Sequence, residues 1–284
     1  MWEMSKIVSM SNHLIRAGFS LSEWEMRVVS AAASSIQKGD KLSSSDWFVV
    51  SADTAVDLFS TDKKTIYRDL AVVAQRLFDR KISFKFSPEG QPQVERLRQA
   101  RWVTDVEYRV DQGTIALKWN ETVIPYLCEL TEQFTQYTLS EISGLSSSHA
   151  QRLLQLLMQY RSTGYMSITI EELRFSMDLM DTYTTTKILN QKVVVPAVTA
   201  IQEHLPHFNL QWKAVKRGRK ITGYGFRFVQ SRATRDPLTV DFIEGASDSE
   251  QKQIASKTES PEQERKRKKQ EVRDKIMDIN DTNW

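Results

Sequence analysis

The sequence predicts an α+β protein made of two tandem winged helices, each a helix-turn-helix followed by a β-hairpin, with a charged tail behind them. The first reason is periodicity: the chain of 284 residues runs through the order helix, helix, helix, hairpin and then repeats it. The second is a shared helix start, because the short middle helix of each half follows a hydroxyl residue, Ser51 in the first half and Thr169 in the second. The two halves share negligible sequence identity, so only the pattern recurs.

The first half begins with a predicted helix. The segment from Ser20 to Glu23 has the hydroxyl-to-carboxylate spacing of a capping box. A short strand follows, then a short helix over about residues 52–59 and a long helix over about residues 62–79. The alternating segments ISFKF, ARWVTDVEYRV and TIALKW are typical of strands, and the last two form a predicted hairpin with its turn at residues 111–113.

The second half repeats this plan after a connector. Ser148 and Gln151 have capping-box spacing ahead of one helix, and Thr169 and Glu172 have it ahead of a short one. The segment TYTTTKILNQKVVVPAVTAIQEHL is a longer predicted helix. FNLQWKAV and ITGYGFRFV, with a basic turn between them, predict the closing hairpin.

These elements divide the chain into four predicted parts. They are an N-terminal arm (1–19), a first winged helix (20–128), a second winged helix (129–231) and a tail (232–284). The tail has few apolar residues and dense mixed charge. Burial there would not offset the entropy of ordering, so we expect the tail to be disordered.

Composition limits the class of protein. Cys128 is the single cysteine, which rules out a disulfide within the chain and indicates a buried thiol in a reducing, cytoplasmic compartment. No apolar run reaches about 18 residues, so we expect no membrane span. The opening residues lack the apolar core of a secretion signal.

Positive charge is concentrated in one part of this nearly neutral chain. Between Lys187 and Arg232 there are nine basic residues and one acidic residue, a local charge of +8 in a chain whose net charge is +3. In a helix-turn-helix the second helix enters the major groove, while a hairpin reaches phosphates or the minor groove. We therefore predict that the last hairpin contacts double-stranded DNA through Lys213, Lys216, Arg217, Arg219 and Lys220.

The helix before this hairpin carries candidates for reading bases, since Asn and Gln suit adenine and Lys suits guanine. The apolar stripe from Val194 to Leu205, extended backwards, would bury Lys187, whereas a kink at Pro196 would reset its phase. Both orientations stay open on the sequence. The candidates are Thr184, Thr185, Lys187, Asn190, Gln191 and Lys192.

The first winged helix offers a weaker set at the start of its long helix. Lys63 and Lys64 sit at the helix end that disfavours cations, which hints at an external anion. An exposed helix start without any ligand is an equally open interpretation. The candidates for additional DNA contacts are Lys63, Lys64, Tyr67 and Arg68.

Motifs for catalysis are missing from the sequence. It contains no G-x-x-x-x-G-K-[ST] segment, no H-E-x-x-H segment and no cysteine pair with metal spacing. In EHLPH, His204 and His207 lack the His-apolar-His pattern of rolling-circle nicking enzymes, and a helix C-terminal cap is the better interpretation. We expect a protein that is not an enzyme and needs no cofactor or metal.

In their order along the chain, several segments resemble the replication initiator (Rep) proteins of iteron-containing, theta-replicating plasmids. The opening KIVSMSNHLIRAGFSLSEWEMRVVSAAASSI is similar to the opening of that family, and EQFTQYTLSEISGL resembles its Phe-x-x-Tyr-x-Leu linker. VVVPAVTAIQEH followed by KRGRKITGYGFRF resembles its Pro-Ala helix and its Lys/Arg-Gly-Arg-Lys wing. The resemblance extends from about Ile7 to Val229.

The resemblance implies two winged helices. The C-terminal one would make the main contacts to iterons, which are direct repeats in the origin, and the N-terminal one would add DNA contacts and a dimer interface. Monomers would initiate replication and promote opening, and dimers would repress the protein's own gene. The implied partners are a second copy of the chain, the host initiator and the replicative helicase.

Three other functions stay open on the residues alone. A winged-helix transcription regulator without a replication role would use the same chemistry. The other two are an enzyme acting on nucleic acid and a module that docks other proteins. Neither the DNA sequence recognised nor the balance of monomer and dimer follows from the residues.

Overall fold

The computed structural model describes residues 6–51, 53–54, 56, 63–110, 112–128 and 133–229. The short helix predicted over residues 52–59 lies largely outside these residues, and the tail at 232–284 lies entirely outside them. The elements of the first half are β1 (Ile7–Ser11), α1 (Asn12–Arg16), α2 (Glu23–Ala33), β2 (Phe48–Ser51), α3 (Lys63–Asp79), β3 (Lys81–Phe86), β4 (Arg96–Arg101), β5 (Val103–Arg109) and β6 (Thr114–Trp119).

The second half continues from the predicted connector, which itself contains two short helices and a strand. We call α8, the π turn and α9 together the reading helix, and the hairpin of β9 and β10 the basic wing. Within the described ranges, no helix is long and apolar enough to cross a membrane. The elements are α4 (Pro125–Cys128), β7 (Phe134–Thr138), α5 (Leu139–Ser143), α6 (Ser148–Met158), β8 (Tyr165–Thr169), α7 (Ile170–Ser176), α8 (Thr186–Leu189), a π turn (Asn190–Val194), α9 (Val195–His204), a 3-10 turn (Pro206–Phe208), β9 (Gln211–Arg217) and β10 (Lys220–Arg227).

The two halves contain antiparallel sheets of the same topology. The strand order is β2-β6-β5 in the first half and β8-β10-β9 in the second, so the last strand of each half lies in the middle of its sheet. The first strand of each sheet precedes helices, α3 in the first half and α7 with the reading helix in the second, and the other two strands form the wing. This arrangement confirms two tandem winged helices. An additional hairpin, β3 with β4, is inserted between α3 and β5 of the first module.

Alternating apolar residues build the cores beneath these sheets. In the first module Trp102 and Trp119 are buried, with ring centroids 6.4 Å apart, and Leu70, Val73 and Leu77 of the predicted apolar stripe of α3 are buried as well. In the second module Tyr224, Phe226 and Phe228 are buried, as their alternation predicts. The prediction that Cys128 is buried is also confirmed.

The start of α2 differs from the prediction. The capping box is formed by Ser22 and Glu25, whose side chains bond to each other's backbone N–H, and the predicted pair of Ser20 and Glu23 is wrong by two residues. Glu25 is fully buried, and the two hydrogen bonds that it accepts from Arg80, at 2.7 and 3.0 Å, compensate for the cost of burying its charge. Arg80 and Glu25 are 55 residues apart in sequence. Of the two overlapping S-x-x-E segments, the one that forms the capping box is therefore the one whose glutamate pairs with this distant arginine.

Two other predicted helix starts have different outcomes. Thr169 and Glu172 form the predicted capping box, and the hydrogen bonds from Thr169 lower the pKa of the Glu172 carboxyl. The N-cap of α6, however, is Ser147, whose hydroxyl accepts from the N–H of Ala150. The predicted register that starts at Ser148 is therefore wrong by one residue.

The N-terminal segment is joined to the middle of the chain. Strand β1 pairs with β7 over five residues, Ile7 opposite Thr138 through Ser11 opposite Phe134. The predicted arm (1–19) thus contributes a strand and the helix α1, and the partner of that strand lies beyond the predicted division at residue 128. The four-part division of the chain stays a prediction.

A buried arginine lies at the same joint. Arg152 of α6 donates from Nη2 to the carbonyl oxygens of Ile15 at 2.6 Å, Ala17 at 2.9 Å and Ser176 at 3.0 Å. Its guanidinium also lies 3.7 Å from the ring centroid of Phe19. One side chain therefore ties the N-terminal segment, α6 and the end of α7 together.

Candidate nucleic-acid interface

The reading helix is interrupted by a π turn. Pro196 has no N–H, and its ring disfavours a regular helix around the carbonyl of the residue four positions before it. The backbone N–H of Val195 bonds to the carbonyl of Asn190, five residues back, which is the hydrogen bond of a π turn. The phase of the helix therefore changes between Asn190 and Val194, upstream of the proline.

This change settles which side of the helix faces outward. Leu189 and Val193 are buried before and within the π turn, and Ala197, Val198 and Ile201 are buried after it. The backward extension of the apolar stripe, which would have buried Lys187, is wrong because the π turn rotates the upstream residues. The polar candidates that are exposed are Thr184, Thr185, Lys187, Gln191 and Lys192.

Two of the candidates also have structural contacts. Thr185 is the N-cap of the reading helix, and its hydroxyl accepts from the N–H of Ile188 at 3.3 Å. The carboxamide oxygen of the half-buried Asn190 accepts a hydrogen bond from the hydroxyl of Tyr224 on β10. Burial raises the pKa of Tyr224 further above neutral pH, where a tyrosine hydroxyl is already protonated. Asn190 thus joins the reading helix to the basic wing, and this contact fixes the orientation of its side chain.

The basic wing presents its cations to solvent. Its turn is possible because Gly218 adopts φ +60°, and Lys220 lies opposite Arg217 across the turn. All five predicted contact residues of this hairpin are exposed. Within the part of the chain that the structure describes, none of them forms an ion pair with a carboxylate. The five are Lys213, Lys216, Arg217, Arg219 and Lys220.

On the wing of the first module, in contrast, cations are paired with carboxylates. On its strands Asp105 lies 3.8 Å from Lys118, and Glu107 lies 3.1 Å from Arg109, so these charges compensate one another. The first turn of α3 has no acidic residue. The predicted contacts Lys63, Lys64, Tyr67 and Arg68 belong to the first two turns of α3, and the placement of their side chains lies outside what the structure describes.

An arginine that the sequence analysis missed supports the turn before the reading helix. Arg174 of α7 is buried and donates to the carbonyls of Leu179 at 2.9 Å and Thr182 at 2.7 Å, and also to that of Tyr183. Asp178 and Tyr183 have φ values of 54° and 49°, a left-handed conformation that costs free energy outside glycine. Arg174 therefore orders a strained turn that leads directly to Thr184 and Thr185.

The only sequence signal for that role is a basic residue in an otherwise acidic short helix. The ring of His149 packs edge-on against Tyr183 with centroids 5.9 Å apart, so α6 also supports the turn. Burial lowers the pKa of His149, which favours its neutral form at this contact. Among the described residues, no group of three or more His, Cys, Asp or Glu side chains is placed to hold a metal ion.

The arrangement thus combines an exposed polar helix face, a rigid turn that leads into it and an uncompensated cationic hairpin beside it. A family model described as "Initiator Replication protein, WH1" matches residues 7–158, and a second described as "Initiator Rep protein, WH2" matches residues 169–228. The two models follow one another along the chain as the two winged helices do, and the first also includes β7, α5 and α6.

Individual relatives point the same way. The chain is 24% identical over 234 residues to the PI protein of Escherichia coli, covering 72% of this chain and 76% of that protein. It is 29% identical over 121 residues to the "Probable replication protein rep" of Bifidobacterium longum, covering 41% of this chain and only 39% of that protein.

A solved structure shares the fold. The crystal structure of the Pi initiator protein in complex with iteron DNA superposes with a TM-score of 0.65 at 22% identity, covering 81% of this chain and 99% of that one. At this identity the likeness shows the fold alone, whereas the first family model by itself matches more than half of the chain. The chain therefore belongs to the family of plasmid replication initiator (Rep) proteins.

Proposed function

We propose that this chain initiates plasmid replication by binding double-stranded DNA at direct repeats (iterons) in the origin. The reading helix would enter the major groove, and the basic wing would contact phosphates or the adjacent minor groove. The observation that carries the proposal is the basic wing, whose five exposed cations lack carboxylate partners among the described residues. The relative of similar fold was crystallised with iteron DNA, which supports the same ligand class here.

The further steps of initiation belong to the same proposal. Binding at several repeats would promote opening of the origin and would bring the host initiator and the replicative helicase to it. A dimeric form would repress the protein's own gene. These steps draw on the free energy of binding, so the proposal needs no catalytic residue, cofactor or metal.

Binding to the repeats is the direct test. We expect the full chain to bind a duplex carrying the direct repeats next to its gene about a thousandfold more tightly than a shuffled duplex of equal composition. Fluorescence anisotropy over a series of salt concentrations measures both affinities. Equal, steeply salt-dependent binding to the two duplexes would contradict sequence-specific recognition and leave only a basic patch.

The contribution of the basic wing is tested by Arg217→Ala combined with Arg219→Ala. If each arginine neutralises one phosphate, the slope of log K against log salt should decrease in magnitude by about two, on every DNA sequence. The matched control is Arg109→Ala with Lys118→Ala, which removes two cations that already face carboxylates on the first wing. If the salt slope of the Arg217, Arg219 variant is unchanged, the basic wing does not contact DNA.

A replication assay distinguishes an initiator from a regulator that uses the same DNA chemistry. A plasmid bearing only this gene and its flanking DNA should replicate in a suitable host. If it fails to replicate while the protein still binds the repeats tightly, the chain is a transcription regulator and the initiator proposal is wrong.

A further inference from the structure

A cleft runs along one side of strand β8. It has a volume of about 500 Å³, which is within the size range of ligand-binding clefts, and lies between β8 and two elements from the first half of the chain, α1 and β3. Four consecutive residues of β8, from Met166 to Thr169, line it. Successive side chains of a strand point to opposite faces of the sheet, so a cavity that contacts all four lies beside the strand and not over one face.

The backbone of β8 is open on this side, because β8 is the edge strand in the order β8-β10-β9. The N–H of Phe228 bonds to the carbonyl of Gly164, which sets the alternation of hydrogen bonds in this antiparallel pair. Met166 and Ile168 therefore direct their backbone groups toward β10. Ser167 lies between them and directs its N–H and C=O away from the sheet, into the cleft.

Another wall of the cleft contains a second open strand edge. On β3 the N–H and the carbonyl of Ser83 bond to the backbone of Gly18, at 2.8 Å each, on the side away from β4. Lys85 lies two residues further along β3 and lines the cleft, so its backbone groups point to this same side. The chain before Gly18 is helical at Arg16 and does not continue the pairing. Two open strand edges thus border one cleft.

Hydrogen-bonded side chains close the cleft near the two ends of β8. Near its start Arg16 donates to the side chains of Gln159, at 2.9 Å, and Tyr160, at 3.3 Å. At its end the carboxylate of Glu172 accepts from the N–H of Thr169 at 2.9 Å and from its hydroxyl at 2.7 Å. The open stretch of β8 between them is therefore a short slot centred on Ser167.

The chemistry of the walls indicates which ligand fits. The cations of Arg16 and Lys85 are balanced by the carboxylates of Glu171 and Glu172, so the cleft lacks the positive charge of the basic wing and does not favour nucleic acid. Much of the remaining lining is aromatic or aliphatic. It includes Phe84, Leu156 and Phe175.

An extended peptide satisfies both features, because its backbone can pair with an open strand edge while its side chains enter the cleft beside that edge. We propose that this cleft binds an extended peptide segment of a partner protein, which pairs with Ser167 as an added strand and places an apolar side chain against Phe84 and Phe175. The cleft contains none of the residues assigned to DNA contact, so this interaction is separate from the proposed function.

Selection from a library of random linear octapeptides, each displayed on its encoding mRNA, tests the proposal with the full chain as the immobilised target. We expect the enriched peptides to share one position with a large apolar residue and to compete with one another for the chain. Each peptide is then N-methylated at one position at a time, and its affinity is measured by fluorescence anisotropy. Methylation of the residue that pairs with Ser167 should weaken binding about tenfold, since a main-chain hydrogen bond is lost.

Ser167→Pro is the corresponding change in the protein. Proline removes only the N–H that points into the cleft, and edge strands tolerate proline at such positions, so the variant should fold, as a thermal melt checks. It should bind the selected peptides about tenfold more weakly than the original chain does. Ser167→Ala is the matched control, because it keeps the backbone N–H and should bind the peptides as the original chain does.

Three results would overturn the proposal. One is a selection that enriches no peptide, and another is a set of peptides that bind equally well after N-methylation and to Ser167→Pro. The third is self-association of the full chain that Ser167→Pro abolishes in analytical ultracentrifugation, since the occupant of the cleft would then be a second copy of the chain. Binding to the direct repeats is measured separately, and its failure in the original chain would leave the peptide result unchanged.

Discussion

Replacing Arg152 by methionine is expected to lower the free energy of unfolding by about 3 kcal/mol, because several buried carbonyl groups would lose their donor. Arg152 is 3% exposed and bonds to the carbonyls of Ile15, Ala17 and Ser176, with a further bond from Nη1 to the side chain of Gln155 at 2.9 Å. Methionine fills similar space but donates nothing. The methionine variant no longer has the desolvation cost of a buried charge, but this gain offsets only part of the loss.

The charge of Arg152 is retained under ordinary conditions. Burial lowers the pKa of its guanidinium to about 9, which is still above neutral pH. The hydrogen bonds that it donates are therefore charge-assisted and stronger than those of a neutral donor. Arg152→Lys should recover part of the lost stability, since it keeps the charge but reaches fewer of the carbonyl groups.

Urea unfolding followed by circular dichroism measures the effect. Arg76→Met is the control, because Arg76 is an exposed arginine of α3 and its removal should change stability by less than about 0.5 kcal/mol. An equal loss in both variants would mean that general effects of removing an arginine, and not the joint at Arg152, cause the change.

Replacing Arg174 by methionine is expected to weaken binding to the repeats about tenfold while leaving the salt slope unchanged. Without its three carbonyl contacts, the turn from Asp178 to Tyr183 would sample other conformations, and binding would have to order it again. The reading helix would then enter the groove at an entropic cost that falls on specific binding. The stability of the chain should decrease by about 2 kcal/mol as well.

Arg227→Met is the informative comparison, because Arg227 is an exposed arginine of the same module at the end of β10. If it contacts phosphate, its loss should weaken binding to repeats and shuffled DNA equally and reduce the salt slope. Arg174→Met should instead reduce the ratio between the two duplexes. A variant of Arg174 that binds both duplexes as the original chain does would show that the turn needs no support for recognition.

Much of the fold follows from local patterns in the sequence. The alternation of Tyr224, Phe226 and Phe228 predicts the last strand, and the stripe of α3 predicts a long buried helix, since both signals depend on neighbouring residues alone. The capping box of α2 was misplaced because Ser20 and Ser22 both begin an S-x-x-E segment. The segment that begins at Ser22 is the one whose glutamate, Glu25, pairs with Arg80. A local sequence pattern cannot show this pairing, because the two residues are far apart in sequence.

The candidate site was predictable to a smaller degree. The exposed cations of the basic wing follow from charge counting, because a hairpin turn has little chance to bury them. The outward face of the reading helix does not, since the π turn arises from backbone hydrogen bonds around Pro196 that shift the phase by a fraction of a turn. Arg174 was missed for a related reason: its partners are carbonyl groups, and their directions are set by the folded turn.

The pairing of β1 with β7 has a practical consequence for dissecting the molecule. The two strands are more than 120 residues apart along the chain, yet each supplies the other's backbone partners. A truncation through Ser11 would strip hydrogen bonds from residues 134–138, and a protease cut between the two halves would leave one small sheet shared by two fragments. Fragments meant to isolate either winged helix should therefore keep both strands on the same piece, or replace the missing one with a synthetic peptide.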